Sequence, residues 1–325
     1  MPRAAWRGDM IAAHADWSTD PRKRWLTWAR RAEGQWRAGA PEPVGDLAAL
    51  LPRLLGPGLP VALGLDLPLG LPRAYAATRP EPGFPAFLRG LAARPEFFVV
   101  NAGLETVAAA SPFYPARGVA GMTRAAHAAA LGLAGPQELS RWCDRATAER
   151  PAGAPLFWTL GANQSGKAAI AAWRDWLIPA LEGAAPIRLW PFEGGLHALL
   201  APGRAVLAEV YPAEALRQCG LRLAGSKRAE TARRALAPAL LAEMTARRVQ
   251  PDAALLAAAT AGFGRDAAGE DRFDSVIGLL GLIGVLDGLR PDFVPDDPWI
   301  RRWEGWVLGQ TALPRPPAPP APASG

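Results

Sequence analysis

Cysteine, histidine and lysine are scarce in this chain, and each scarcity narrows what it does. Two cysteines in 325 residues, Cys143 and Cys219, match neither a disulfide framework nor a zinc pattern, so a reducing, cytoplasmic setting is expected. Three histidines are present, and no Ser/His/Asp or Cys/His set for nucleophilic catalysis stands out; His14 and His197 read as structural. Lysine occurs only as Lys23, Lys167 and Lys227 in a chain whose basic residues are otherwise arginine. No block of consecutive basic residues accompanies the net charge of +6 and pI near 10.0, so the charge permits a phosphate-rich partner without demanding one. The longest apolar run, residues 275–286, falls short of the roughly 20 residues that span a bilayer. The first ten residues, MPRAAWRGDM, lack the apolar core of a signal peptide, and no membrane partner is expected.

What is present is a globular chain. Half the residues are hydrophobic, and the 34 glycines and 34 prolines are spread through periodic segments rather than concentrated in a low-complexity tract. The length suits one large domain or two small ones.

The organising stretch is LPVALGLDLPLGLP, residues 59–72. Its aliphatic part, fenced by Pro60 and Pro68, predicts a strand buried on both faces. Asp66 stands at the carboxyl end of that strand, the edge where open α/β sheets place their chemistry. It also suits a cap for the turn into Pro68-Leu69-Gly70, and both roles are open.

In chain order, residues 10–16 predict a first strand, residues 24–31 a second and residues 35–37 a short third, together an antiparallel meander turned at Glu33-Gly34. Asp46 caps a helix stopped by Gly56, and residues 61–66 return as a strand that could pair parallel to the first. Residues 96–101 (EFFVVN) predict a strand and 156–160 another, while 123–133, 136–149 and 167–181 have helical spacing. Arg141, Arg145 and Arg150 then read as solvated helix surface. Strands follow at 187–190 and 204–210, a helix from Ser226 through Thr245, another over 252–261, and a nearly all-apolar buried helix over 273–289. Residues 299–308 predict an edge strand or a last docking helix.

This β-β-β-α-β order, with acids ending the first and fourth strands, resembles the ribonuclease H-like fold and, more narrowly, the DUF429 family of predicted nucleases. The resemblance is carried, in order, by Asp16-Trp17-Ser18, LDLPLGLP, GANQSGK (161–167), Trp190-Pro191-Phe192, Glu209-Val210-Tyr211-Pro212, Ser226-Lys227-Arg228 and Asp274-Ser275-Val276. It implies an α/β fold with a mixed β-sheet, flanking helices and a mainly helical insertion. The expected division is a flexible start (1–9), a first core part (10–72), the insertion (73–186), the rest of the core (187–313) and a disordered Pro/Ala-rich tail (314–325).

GANQSGKA satisfies a phosphate-loop spacing, but Ala168 stands where a magnesium-binding hydroxyl is needed, which excludes a P-loop NTPase. A helix start able to hold an anion remains, with Gln164 and Lys167 beside it; Lys227 and Arg228, in the first turn of their helix, point to an anion as well. An ordinary glycine-rich helix start fits the same residues.

Asp16, Asp66, Glu209 and Asp274 come from separate elements, three at apolar strand ends and one at the mouth of the buried helix, with Asp271 on the same helix face as Asp274. Each also fits a cap or turn. Converging, they would repel unless cations neutralised them, and hard oxygen ligands select Mg²⁺ or Mn²⁺. The buried Glu209 needs a metal or an arginine as partner. The expected chemistry is two-metal phosphodiester hydrolysis, with Asp16 bridging, Glu209 and Asp274 holding one ion each with Asp271 nearby, and Asp66 ligating or orienting water. The expected partner is a nucleic acid or another phosphate-containing ligand. A phosphotransferase of the actin and sugar-kinase type, or a non-catalytic nucleic-acid or ligand-binding protein, are the alternatives.

Overall fold

The strand Met10–Asp16 (β1) is buried at every position, because it has a neighbour on each side and a packed layer on each face. In this computed structural model residues 6, 8–113, 118, 121–160 and 165–314 are described, so the expectations for the first residues and for the tail beyond 314 lie outside them. Trp25–Ala32 (β2) pairs antiparallel to β1, and Gln35–Ala38 (β3) returns along β2 through a two-residue turn. Glu33 and Gly34 both have positive φ there (53° and 77°), the backbone that matches strand twist in a tight hairpin. Glu42–Pro43 (β4) adds a short pairing to β2. Leu47–Leu55 (α1) follows, its first turn held by the Asp46 carboxylate accepting from Ala48 N at 3.0 Å. Val61–Leu65 (β5) then lies parallel to β1.

The insertion contains Arg73–Ala76 (α2), Phe84–Gly90 (α3), Arg124–Ala130 (α4), Ser165–Ala172 (α5) and Ile178–Glu182 (α6), the last two joined by a π-helical turn at Trp173–Leu177. The remainder supplies Ile187–Leu189 (β6), Leu196–Leu199 (α7), Ala205–Glu209 (β7), Pro212–Gln218 (α8), Glu230–Ala246 (α9), Val249–Pro251 (β8), Ala253–Thr260 (α10) and Gly269–Leu286 (α11). The sheet order is β6-β7-β5-β1-β2-β3-β8, with β2 alone running against the other strands. The chain is therefore α/β, a mixed sheet with helices on both faces.

Alternation along the strands divides the core. Ile11, Ala13 and Ala15 of β1, with Val61, Leu63 and Leu65 of β5, face α1 and the insertion, where Phe84, Phe87 and Trp173 fill the layer. Met10 and Ala12 face the other layer, dominated by α11. That helix lies close to its neighbours because it carries glycine at the contacts: a Cβ at Gly278 would run into the His14 ring of β1, and one at Gly281 would stand 2.6 Å from Ala215 Cβ of α8. No helix among the described residues is long and apolar enough to cross a membrane.

Several local expectations are corrected. Residues 96–101 are not a strand: Pro95–Phe98 is a single 3₁₀ turn, which brings both Phe97 and Phe98 inward where alternation would turn one outward. Residues 156–160 form no strand, and 136–149 form only the short turns Pro136–Leu139 and Trp142–Asp144. The helix expected from Ser226 begins at Glu230, leaving Lys227 and Arg228 in the turn ahead of it. The edge strand β8 was not anticipated, since three residues ending in proline carry no periodicity. Near the chain end a π-helical turn at Ile300–Glu304 precedes one parallel bridge from Val307 to Glu209.

Candidate active site

Parallel pairing of β1 with β5 sets Ala15 opposite Leu65, so the next residues, Asp16 and Asp66, emerge side by side at the carboxyl ends of the two central strands. Asp66 N donates to Ala15 O at 3.1 Å, continuing the ladder by one step. Strand alternation sends Asp16 to the face that α11 covers. The helix is fixed there by Gly278 against His14 and by the Ser275 hydroxyl, 2.7 Å from that of Thr27 on β2. Asp274 and Asp271 sit in its first two turns, on one side of the helix.

The three acids Asp16, Asp66 and Asp274 sense one another. Asp16, 7% exposed, is raised well above the ordinary carboxylate range, first by burial and then by the charges of Asp66, Asp274 and Asp271. Asp66 is pushed up to about 7, by burial and then by the charge of Asp274, while its carboxyl shares a hydrogen bond with that of Asp16. Burial pushes Asp274 up to about 6 against the opposing pull of Lys227. Lys227 Nζ lies 2.5 Å from Asp274 Oδ2 and 3.2 Å from Glu270 Oε1; burial works against its charge, yet those carboxylates hold it above its ordinary value. Asp271 is also raised, chiefly by burial, and its Oδ2 is buried without a hydrogen-bond partner among the described residues.

Raised folded-state values mean that the folded protein keeps protons an unfolded chain releases, so stability from this cluster is complete below the ordinary value of 3.8 and is lost as pH rises through about 7. In the presence of a chelator, the melting temperature of the wild type is expected to fall more between those pH values than that of Asp66→Asn. Parallel melting curves for the two across that window would remove the cluster.

Glu209 faces away from these acids, although its charge adds to the rise of Asp66. It is aligned with Leu65, one position short of Asp66, and alternation turns it to the opposite face of the sheet. There Arg141 grips it, Nη1 at 2.6 Å from Oε2 and Nη2 at 2.7 Å from Oε1, while Leu69 N donates to Oε2 at 2.7 Å. Of the two partners open to this glutamate the structure supplies the arginine, and its expected roles as catalytic acid and metal ligand give way to an ion pair. Arg141, read as surface, is fully buried and also donates to both oxygens of Asp144 at 2.9 Å and to the Tyr211 hydroxyl at 3.0 Å. Cys143, Asp144 and Glu209 have ligand atoms within 4.8 Å of one another, but the guanidinium already supplies the positive charge there. Burial pushes the Cys143 thiol well above its ordinary value, which keeps it protonated beside this ion pair.

A cleft of about 680 Å³ opens beside Asp66, lined among others by Trp17, Ser18, Lys167, Tyr211 and Lys227. Asp16, Asp271 and Asp274 are not among the residues that line it. Of the residues expected to hold an anion, Lys167 on α5 and Lys227 reach this cleft. Arg228 is exposed, 3.5 Å from Glu270 Oε2 and outside the lining. Gln164 lies outside the described residues. With Lys227 paired to Asp274 ahead of the helix, an anion is no longer needed to explain a cation in a helical first turn. Burial holds His14 down to about 4, a neutral ring whose Nε2 lies 3.2 Å from Val210 O.

Comparison of the chain with family models, with curated proteins and with solved structures gives no match.

Proposed function

We propose that this chain is a divalent-cation-dependent phosphodiesterase, a nuclease, on a ribonuclease H-like fold. The fold reading is supported by the antiparallel meander β1-β2-β3 with β5 parallel to β1, as the sequence predicts, which β7 extends in the order β3-β2-β1-β5-β7. The observation that carries the function is the placement of Asp16 and Asp66 side by side, with Asp274 of α11 over the same face and one ammonium, Lys227, paired into the group.

The donor set is of the kind that takes Mg²⁺ or Mn²⁺, carboxylate oxygens from separate elements, and binding would have to draw Asp16, Asp66 and Asp274 together, because their oxygens do not all lie within 4.8 Å of one another. Asp16, Asp66 and Asp274 would hold the ions, with the unpartnered Oδ2 of Asp271 beside them. Bound ions of this kind supply a water of lowered pKa and a counter-charge for the leaving oxygen. The chain itself contributes the rest. The paired ends of β1 and β5 set two of the carboxylates side by side before any ligand arrives, so less ordering is required on binding. Lys227, half-buried at the cleft wall, balances negative charge where a phosphate would enter. The two free, buried cysteines support a reducing compartment such as the cytoplasm.

The test is a titration with Mn²⁺ or Mg²⁺ followed by melting temperature and by hydrolysis of oligonucleotides. At about 100 times Kd a single bound ion adds about 2.7 kcal/mol, which several degrees of melting temperature would register. No shift at saturating cation together with no hydrolysis would reject the reading.

A further inference from the structure

The geometry points to a single-stranded nucleic acid as the substrate, with the phosphates that flank the scissile one held by Lys23 and Lys167. This rests on the nuclease reading above and adds the class of its substrate.

Only three of the 36 basic residues are lysines, and all three line the one cleft beside Asp66. They arrive from unrelated places: Lys23 ends a 3₁₀ turn between β1 and β2, Lys167 is in the first turn of α5, and Lys227 precedes α9. The arginines of the same cleft are paired within it, to Glu214, and Asp20 and Asp144 also line it. Arg150 Nε lies 3.5 Å from Glu214 Oε2, and Arg217 is ion-paired to that same oxygen. By contrast neither Lys23 nor Lys167 has an ion-pair partner among the described residues; Lys23 acts on Asp271 only as a field that lowers its pKa. An ammonium on a flexible stem gives a point charge without the planar fork that locks arginine to one carboxylate. That suits backbone phosphates, which pass through many orientations along a strand.

Shape selects strand over duplex. One wall of the cleft is built from the core, at residues 17–23, 66–68 and 211–217, and the other from the insertion, at residues 150–154 and 165–168. About 680 Å³ between two walls is the size class that encloses a small ligand, so it receives one or two nucleotides at a time. A duplex, which is wider than its own major groove of about 12 Å and carries two backbones, is too bulky to enter a space of that volume and would have to lie over the rim. Tyr211, Pro151 and Ala154, partly or fully exposed side chains of the lining, offer a base a surface to rest on.

The experiment measures binding apart from cleavage. Fluorescent strands of about 12 nucleotides, both DNA and RNA, and the matching duplex are titrated with the full chain in a chelator, from about 50 to about 200 mM salt. Single strands are expected to bind at least tenfold more tightly than duplex. Lys23→Gln and Lys167→Gln, with unchanged melting temperature, should each weaken strand binding about fivefold and reduce the slope of log K against log salt by about 0.7. Equal affinity for duplex, unaltered salt slopes in both variants, or a mononucleotide bound as tightly as the strand would each overturn the inference. Strand binding with the expected slopes but no Mn²⁺-dependent cleavage would uphold the cleft and defeat the nuclease reading. Cleavage of duplex and strand at equal rates by wild type and both variants would do the reverse. A preference of DNA over RNA, or the opposite, upholds the inference and names the sugar.

Discussion

Arg141→Met is expected to destabilise the protein by about 3–5 kcal/mol, because it leaves buried carboxylates without their counter-charge. The side chain is 0% exposed and holds Glu209, Asp144 and the Tyr211 hydroxyl at once, so no water can replace it without opening the core. Burial already holds Glu209 above the ordinary carboxylate value even with the arginine present. A melting temperature lowered by about 4–7 °C is the readout for a chain of this size. Adding Glu209→Gln to the variant removes one orphaned charge and should restore part of the loss. Arg141→Lys should rescue little, since one ammonium cannot reproduce forked donation to two carboxylates and a hydroxyl. A methionine variant within about 1 kcal/mol of the wild type would make the network dispensable, and the positioning of the Leu69 loop by Glu209 with it.

Why this network escaped the sequence, while its neighbours did not, follows from the range over which each signal acts. The meander, α1 and β5 are written in local terms: alternation, a two-residue turn and an Asp cap. The apolar length of α11 likewise declares burial without any knowledge of what covers it. Arg141 sits in a stretch with helical spacing, and nothing local distinguishes an arginine on a solvated helix from one drawn inward by a glutamate 68 residues away. Residues 96–101 failed for a related reason, because two adjacent phenylalanines both serve the aromatic core and only a turn brings both inward.

The acids show the same division. That Asp16 and Asp66 end strands was legible; that they stand in the same register, and Glu209 one position off it, was not. Parallel strands joined by long crossovers have no turn to fix their alignment, and a one-residue offset sends a side chain to the other face. The lysines were visible as a rarity in the composition, but their meeting in one cleft depends on three connections of unrelated length.

Asp16→Asn is expected to abolish Mn²⁺-dependent cleavage, lowering it by at least about 10²-fold, while leaving the metal-free fold intact or slightly more stable. The two halves of that expectation have one cause. In the absence of cations Asp16 is a buried carboxyl beside Asp66 and Asp274, and its ionisation is opposed by burial and by both neighbours. Asparagine keeps its shape, cannot ionise, and can donate an amide hydrogen to Asp66, whose value of about 7 should then move down toward the ordinary carboxylate range. The neighbouring Ala15 and Ala13 face the other layer and offer no ligand, and His14, on the same face as Asp16, is packed against Gly278 with its Nε2 at Val210 O. With one charge fewer the site holds cations less tightly, and the rise in melting temperature on adding Mg²⁺ or Mn²⁺ should shrink. Melting curves with and without cation, run beside an oligonucleotide cleavage assay, separate the possibilities. A variant that unfolds outright would make Asp16 a structural residue. One that keeps the full cation response would place the ions away from Asp16, and one that keeps cleavage would place the chemistry elsewhere in the chain.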